Sequence, residues 1–328
     1  MSSVPDVDYR ATSKRPTWTS LPAAVRAEVS RLAGSPVVRA DPVVTSGFTG
    51  SYAGSVRCAD GSRVFVKAGG PDMPFVVSAL AREGVVLRML PPGIPAPRLI
   101  GAGESDGWSV IVLGVIDGRM PGQPWTSGDV EAVHRACLTV AELTTPCPDG
   151  MRWQSVAASM AGDEKILAVG RAMVQGRFGP PLGMPQWLRA RQPEIAALIL
   201  EAGDHLDGDT LSHGDIRPDN LLVDAAGKAW VIDWNWVGVG PAWLDLVGML
   251  PMMRWHGLDV DELVATSSLT RGADRDGIDG FLAVIAAYMM SGLDEAPPPG
   301  CTPALRRHQR LMAHLFLELL RHRRDWPP

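Results

Sequence analysis

The chain has 328 residues, of which 46% are apolar and 20% are charged, and its formal net charge is −5. This length suits two lobes of about 100–200 residues each, and the composition excludes wholesale disorder. A nucleic-acid-binding protein usually has an excess of basic residues, which this chain lacks. Its negative net charge would suit a cationic substrate, although it also serves solubility.

The first third of the chain predicts a flexible arm followed by a small β-rich lobe. Residues 1–19 are polar and contain proline, and a helical pattern follows them up to Gly34. The next predicted elements are strands over residues 36–44, 52–58 and 62–67, a helix over 73–90, and strands over 97–103 and 108–113. Because one helix follows the third strand, we assign residues 20–116 to an α+β unit, the N-lobe.

A Gly- and Pro-rich connector over residues 114–126 leads to a second region, in which helical patterns dominate. The predicted helices cover residues 127–143, a stretch from about 163, and residues 186–202, 258–266, 277–291 and 303–324. One β-hairpin interrupts them between residues 221 and 233. We therefore assign residues 117–328 to a larger, mainly helical C-lobe.

The segment His213-Gly214-Asp215-Ile216-Arg217-Pro218-Asp219-Asn220 is the most informative part of the sequence. Pro218 disfavours a continuous helix, so the segment is predicted to be a loop between two short strands. Such a loop can direct the side chains of Asp215 and Asn220 toward one point. The hairpin that follows would return Asp233 to the same place.

A convergent set of two aspartates and one asparagine favours a particular chemistry. Oxygen ligands without histidine or thiolate suit Mg²⁺ better than zinc, and Mg²⁺ usually takes one or two protein ligands together with phosphate oxygens and water. The remaining aspartate can orient an acceptor hydroxyl and accept its proton. Phosphoryl transfer needs this arrangement, whereas three unrelated solvated loop residues would not explain the grouping.

On these residues the chain resembles the aminoglycoside phosphotransferase and choline kinase-like branch of the protein-kinase fold. The resemblance implies a two-lobed α+β architecture that uses ATP (or GTP) and Mg²⁺. It also implies that Asp215 is the catalytic base and that Asn220 and Asp233 are the metal ligands. His213 and Asp245 would be structural residues of the catalytic loop.

The family also pairs a lysine on the third strand with a glutamate on the next helix, so that the lysine can hold the nucleotide phosphates. Lys67 and Glu83 have this order and placement. The turn between residues 46 and 52 lies where the phosphate-covering loop belongs, and the backbone of the interlobe connector would meet the adenine edge. The nucleotide-binding candidates in these two segments are Ser46, Gly47, Gly50 and Ser51 in the turn, and Leu113 and Val115 in the connector.

The sequence departs from protein kinases at several positions. Trp234 and Asn235 follow Asp233 where protein kinases have Phe-Gly, and no A-P-E segment follows, which favours a small-molecule kinase. Arg217 stands two residues after the predicted base. Its guanidinium either contacts the transferring phosphoryl group or pairs with Asp219 or Glu201 as part of the structure.

Three functions remain open at this level: an antibiotic or aminated-sugar O-phosphotransferase, a metabolic kinase for choline, homoserine or a sugar, and a catalytically inactive nucleotide-binding regulator. The complete set of predicted catalytic residues argues against the last. Candidate carboxylates for a cationic acceptor are Asp163, Glu164, Asp204, Asp207, Asp209, Asp259, Asp261 and Glu262. Scattered cysteines and the lack of a long apolar run predict a cytoplasmic protein without membrane or nucleic-acid partners.

Overall fold

Residues 7–328 are described by a computed structural model, and its N-lobe is built on one antiparallel sheet. The elements of this lobe are α1 (Ala23–Ala33), β1 (Val37–Val43), β2 (Tyr52–Cys58), β3 (Arg63–Gly69), α2 (Pro74–Met89), β4 (Leu99–Ser105) and β5 (Trp108–Gly114). The strand order is β1-β2-β3-β5-β4. Every neighbouring pair in this sheet is antiparallel.

The alternation of side chains along β3 decides which of its residues face the two helices. Val64, Val66 and Ala68 belong to the apolar cluster that includes the buried face of α1. Phe65 packs against the separate cluster formed with α2. Because successive strand residues point to opposite faces, Lys67 falls on the α2 side of the sheet. The strand pattern alone therefore turns this lysine toward α2.

The C-lobe is mainly helical and carries two small sheets. Its elements are β6 (Gly118–Arg119), α3 (Ser127–Thr144), α4 (Val156–Gly162), α5 (Glu164–Val174), α6 (Gln192–Glu201), β7 (Thr210–Ser212), β8 (Leu221–Asp224), β9 (Ala229–Val231), β10 (Gly238–Gly240), α7 (Leu244–Trp255), α8 (Val260–Thr266), α9 (Arg275–Met290) and α10 (Ala304–Arg323). Strands β6, β8 and β9 form one sheet, and β7 pairs with β10. The largest hydrophobic core lies among these helices.

The predicted and observed elements differ at α7, in the connector, over residues 186–202 and at α4. Helix α7 is buried on nearly all sides and contains Pro251, so its sequence has no amphipathic period that would predict a helix. The predicted connector contains β6, which pairs with β8 although it has only two residues. The helical pattern over 186–202 divides into a 3₁₀ helix (Gln186–Arg191) and α6, which has proline in its first turn. Helix α4, with seven residues, was not predicted.

The N-terminal segment also differs from the predicted flexible arm. Residues 1–6 lie outside the described part of the chain, but Tyr9 is 1% exposed and its hydroxyl hydrogen-bonds to Nδ1 of His308 on α10 at 2.8 Å. Ser13 donates its backbone N–H to the carbonyl of Thr45 at 2.8 Å. A few anchoring residues without helical or strand periodicity hold this segment, so the sequence pattern did not reveal its packing.

None of the helices between residues 7 and 328 combines the length and the apolar character that crossing a membrane would require.

Candidate active site

Lys67 connects the two lobes. Its Nζ donates to both carboxylate oxygens of Glu83 on α2, each at 2.8 Å, and to Oδ1 of Asp233 in the C-lobe, also at 2.8 Å. The Glu83 side chain is fully buried, whereas the Asp233 side chain is 34% exposed. Helix α2 thus fixes the lysine, and the lysine in turn holds the carboxylate that faces the cleft.

The charges of this group follow from burial and mutual attraction. Burial alone would raise the pKa of Asp233, but the charge and hydrogen bond of Lys67 outweigh it and lower the pKa to about 2. Burial opposes the charged form of Lys67, yet the two neighbouring carboxylates raise its pKa above the usual value. Burial raises the pKa of Glu83, against the attraction of Lys67. At neutral pH, therefore, Lys67 is a cation and Asp233 is an anion.

A carboxylate braces the loop formed by residues 213–220. Asp245, at the start of α7, accepts the backbone N–H of His213 at 2.7 Å and that of Gly214 at 3.0 Å. Gly214 has φ +78°, and a Cβ there would lie 2.5 Å from the carbonyl oxygen of Trp236. Only glycine fits this turn without displacing the neighbouring backbone.

His213 lies under the loop as a neutral ring. Its Nδ1 accepts the backbone N–H of Asp215 at 3.3 Å, so its Nε2 carries the hydrogen and donates to the carbonyl of Ile232 at 3.0 Å. Burial lowers the pKa of His213 to about 4. Trp234 packs its ring edge-on at 4.8 Å. His213 therefore ties the loop to the residue before Asp233, which supports the predicted structural role.

Arg217 organises a second charged group. Its Nη1 donates to both oxygens of Asp215 at 2.6 Å, and its Nε donates to Asp219 at 2.8 Å. The Asp219 side chain is fully buried and that of Asp215 is 27% exposed. Burial raises the pKa of Asp215 to about 6 even though Arg217 opposes this shift. Of the two structural partners predicted for Arg217, the arginine contacts Asp219.

Asn220 brings this loop to the hairpin that carries Asp233. Its Nδ2 donates to the backbone oxygen of Asp215 at 2.8 Å and to Oδ2 of the same residue at 3.0 Å. Its own carbonyl accepts the backbone N–H of Ile232 at 2.9 Å. Asp233 follows directly, with φ +72°, a rare value for a residue other than glycine. The hydrogen bonds of Asn220 thus join Asp215 to the segment that carries Asp233, and the charge of Asp233 acts on the Asp215 carboxylate.

The donor set fits Mg²⁺. The available groups are a carboxylate and a carboxamide, both oxygen ligands, and residues 7–328 contain no group of three or more His, Cys, Asp or Glu side chains arranged to hold a metal ion. Beside a nucleotide, Mg²⁺ does not need a site built wholly from protein ligands, because phosphate oxygens and water supply most of its ligands. Asp233 and Asn220 are the residues that would hold it.

The turn between β1 and β2 contains Ser46, Gly47, Gly50 and Ser51, and it closes around Arg15 from the N-terminal segment. Arg15 donates from Nη2 to the carbonyl of Ser46 at 2.6 Å and from Nη1 to the carbonyl of Ser51 at 2.7 Å. A Cβ at Gly47 would lie 2.8 Å from Nη2 of Arg15, and φ is +86° there. Sequence reasoning missed Arg15, since a single basic residue before a proline gives no signal.

The same turn is attached to the C-lobe. Thr302 donates its backbone N–H to the carbonyl of Phe48 at 2.8 Å, and Gly50 donates to the carbonyl of Gly300 at 3.0 Å. The Phe48 ring is buried, and it lies 4.8 Å from the His308 ring and 5.1 Å from the Arg217 guanidinium. The turn is therefore closed over the catalytic loop.

Leu113 and Val115 lie at the end of β5, where the chain leaves the N-lobe. The register of β3 with β5 places Lys67 opposite Ile111, two residues before Leu113. The backbone predicted to bind adenine thus lies beside β3, the strand that carries Lys67. Among residues 7–328, no hydrogen bond joins this backbone to Lys67, Glu83 or Asp233. Its role stays a prediction.

A cavity of about 220 Å³ opens beside Asp215 in the C-lobe. None of the eight carboxylates predicted as candidates for a cationic acceptor is among its lining residues. Asp163 and Asp259 instead cap the N-termini of α5 and α8. Among the tryptophans, Trp236 lines the cavity, whereas Trp234 is part of the core.

Comparisons with known proteins agree with this arrangement. A sequence model of the phosphotransferase enzyme family matches residues 76–281, more than half of the chain. Comparison with curated protein sequences found no match.

Solved structures show the fold. The chain is similar to a mutant of aminoglycoside phosphotransferase APH(4)-Ia in complex with ADP and hygromycin B (12% identity, TM-score 0.60, covering 92% of this chain and 99% of that chain). It is also similar to an aminoglycoside phosphotransferase from Alicyclobacillus acidocaldarius (15%, 0.57, 94% and 97%) and to choline kinase LicA from Streptococcus pneumoniae (13%, 0.52, 89% and 97%). The predicted two-lobed, kinase-like α+β fold is confirmed.

Proposed function

The chain belongs to the phosphotransferase enzyme family, and on that basis we propose that it is an ATP- and Mg²⁺-dependent O-phosphotransferase acting on a hydroxyl group of a small molecule. The observation that carries the proposal is the position of Lys67. It bridges Glu83 and Asp233 across the two lobes, and Asp233 lies close enough to Asp215 for its charge to raise the pKa of that carboxylate. Phosphoryl transfer depends on this positioning and on neutralisation of charge.

In this proposal each charged side chain has one task. Asp233 and Asn220 hold Mg²⁺, which neutralises phosphate charge when it is bound. Lys67 contacts the nucleotide phosphates, and Glu83 keeps the lysine in place. Asp215 orients the acceptor hydroxyl and takes its proton, and a pKa near 6 leaves most of this carboxylate ionised at neutral pH.

We assign a positioning role to Arg217. Its guanidinium binds both oxygens of Asp215 and one oxygen of the buried Asp219, so three of its donor contacts are already made. Because Nη1 contacts both oxygens of Asp215 while Nε is bound to Asp219, the guanidinium holds the Asp215 carboxylate in place. An arginine held this way has little freedom to follow a moving phosphoryl group.

The nucleotide is proposed from the comparisons and from the phosphate-covering turn. A structurally similar protein binds ADP, and the Ser46–Ser51 segment presents backbone groups beside the partly buried cation of Arg15. A choice between ATP and GTP depends on the backbone near Leu113 and Val115, which would meet the base.

The acceptor separates two branches of the proposal, an antibiotic-modifying kinase and a metabolic kinase for a small alcohol. A structurally similar protein was crystallised with hygromycin B, and another is a choline kinase. Incubation with γ-labelled ATP and Mg²⁺, over a panel of aminoglycosides, choline, homoserine and neutral alcohols, tests both branches. Label transfer to aminoglycosides selects the first branch, and transfer to choline or homoserine selects the second.

Two controls make the test decisive. Chelation of Mg²⁺ is expected to stop transfer to every acceptor. If nucleotide binds but no acceptor is labelled, and Asp215→Ala leaves the cellular role of the protein intact, the proposal fails and a regulatory nucleotide-binding protein remains.

A further inference from the structure

The cavity beside Asp215 has walls that are mainly apolar. Parts of the catalytic loop, α4, α7, β10, α9 and α10 surround it. The side chains that give it this character are Met160, Phe281, Ile285, Met289, Met312 and Phe316. Phe281, Met312 and Phe316 are buried members of the C-lobe core, so this wall is part of the rigid lobe.

The charged side chains in the lining already have partners within the protein. Asp215 and Arg217 pair with each other at 2.6 Å. Both oxygens of Asp245 accept backbone N–H groups of the catalytic loop. His308 is hydrogen-bonded to Tyr9, and burial lowers its pKa, so it is neutral. Within the lining formed by residues 154–316, Asp215 is the one partly exposed carboxylate, and the proposed function assigns it to the acceptor hydroxyl, so no second carboxylate is available for an ammonium group on the body of the acceptor.

This arrangement decides between a cationic and an apolar occupant. An ammonium group that loses water without gaining a carboxylate partner costs several kcal/mol. One aromatic face, here that of Trp236, returns only about 0.5–2 kcal/mol by a cation–π contact. An apolar group instead gains about 25 cal/mol for each Å² that it removes from water. The balance favours an uncharged, apolar occupant.

The volume limits the size of that occupant. Typical ligand pockets measure about 300–1,000 Å³, and this cavity is smaller, at about 220 Å³. A polycyclic, polyaminated sugar would therefore extend out of this open cavity, and the part inside it would bring ammonium groups to apolar walls. A compact hydrocarbon body fits both the volume and the lining.

We propose that the acceptor is a neutral alcohol whose compact apolar body fills this cavity and presents its hydroxyl to Asp215. The inference rests on the proposed function. The hydroxyl oxygen forms the new bond to the γ-phosphorus, and its proton passes to Asp215. The bond between the γ-phosphorus and the β,γ-bridging oxygen breaks, and ADP leaves with that electron pair.

The first test compares acceptors. With γ-labelled ATP and Mg²⁺, kcat/KM is measured for geraniol and phenylethanol and, in parallel, for choline and hygromycin B. The expected result is a kcat/KM at least tenfold higher for the neutral alcohols. Mg²⁺-dependent transfer that prefers choline or hygromycin B overturns the inference while leaving the proposed phosphotransferase function intact.

The second test uses matched substitutions. Met289→Gln and Met160→Gln preserve side-chain size but place an amide on two walls of the cavity, whereas Met89→Gln makes the same change on the surface of α2, where the residue is 37% exposed. Each cavity variant is expected to lower kcat/KM for geraniol about tenfold, and Met89→Gln is expected to leave it unchanged. Thermal unfolding of all three variants checks that the fold is retained.

Binding decides the inference even if no probe accepts phosphate. Geraniol bound in the cavity would lie against Trp236, so tryptophan fluorescence reports its affinity without turnover. Binding that weakens in Met289→Gln but not in Met89→Gln supports the apolar site. Absence of geraniol binding to the wild-type protein overturns it, and absence of any Mg²⁺-dependent nucleotide turnover separately overturns the proposed function.

Discussion

Two cations in the active site, Lys67 and Arg217, each lie between a buried and a partly exposed carboxylate, but they connect different parts of the chain. Lys67 lies between a fully buried carboxylate, Glu83, and a partly exposed one, Asp233. Arg217 lies between the fully buried Asp219 and the partly exposed Asp215. In each group the buried carboxylate fixes the cation, and the cation positions the carboxylate that faces the cleft.

The difference between the groups lies in sequence distance. The Arg217 group falls within residues 215–219, so the local loop conformation is sufficient to form it. The Lys67 group joins residues that are 16 and 166 positions apart, so it forms only when the two lobes meet. The comparison indicates that the Arg217 group prepares the base, while the Lys67 group makes nucleotide binding depend on the closed arrangement of the lobes.

Removing the exposed member of the Lys67 group should have the largest effect. We expect Asp233→Ala to reduce Mg²⁺-dependent nucleotide turnover by about 10³-fold, because the main metal ligand and the interlobe ion pair are lost together. Turnover is measured across an Mg²⁺ titration, with Asp224→Ala as a control on the nearby hairpin. Unchanged turnover at any Mg²⁺ concentration contradicts the metal assignment.

Removing the exposed member of the Arg217 group should affect a different step. Asp215→Asn is expected to lower kcat by about 10²-fold, since the amide cannot accept the acceptor proton. ATP affinity, measured by calorimetry, should stay close to the wild-type value because Asp215 serves the acceptor. A large loss of ATP affinity in this variant would remove the distinction between the two groups.

Arg15 is a third partly buried cation, and the charges of Asp233 and Asp219 act on its guanidinium. We expect Arg15→Met to raise the KM for ATP roughly tenfold with little change in kcat, because the phosphate-covering turn loses its hydrogen bonds to the guanidinium. Arg10→Met is the matched control, since the Arg10 side chain is exposed and pairs with Asp8. An equal effect of both substitutions would argue against a specific role for Arg15.

The smallest expected effect is on the pH dependence of the free energy of unfolding. Burial, aided by the charge of Arg217, lowers the pKa of His308 from 6.5 to about 3, so between these values the unfolded chain binds a proton that the folded protein does not. The contribution of neutral His308 to the free energy of unfolding is complete above pH 6.5. It is lost as the pH falls from 6.5 toward 3, by up to about 1.4 kcal/mol per pH unit.

His308→Gln keeps a neutral hydrogen-bonding side chain next to Tyr9 and should weaken this pH dependence. Urea unfolding of both proteins between pH 5 and 7 measures the difference in the free energy of unfolding, and the contribution of His213 cancels in it. Parallel curves for the two proteins would show that His308 is not buried in its neutral form.

Much of the site could be predicted from the sequence because its chemistry resides in residue types at fixed spacing. Lys67, Glu83 and Asp233 were identified from their order along the chain, and the structure brings them into direct contact. Arg15 and Phe48 could not be identified in this way. Their importance comes from the closed turn, which packs them against residues remote in the sequence.

The cavity beside Asp215 shows the same limit of prediction from the sequence, because here the predicted residues do not line it. The sequence offered eight carboxylates as candidates for a cationic acceptor, and cap positions and surface ion pairs account for several of them. Asp163 and Asp259 cap helices, while Glu164 pairs with Arg171. Composition reveals which charges exist, but not which of them face a common space.

The sequence by itself determined the chemistry proposed for this protein, since the residues of the 213–220 loop, the proposed metal ligands and the lysine proposed to hold phosphate are specified by local spacing and strand alternation. The tertiary structure alone decided how the lobes are joined, which turn lies over the 213–220 loop and what lines the cavity beside Asp215. These features depend on contacts between segments far apart in the chain, whose packing leaves no local periodicity in the sequence.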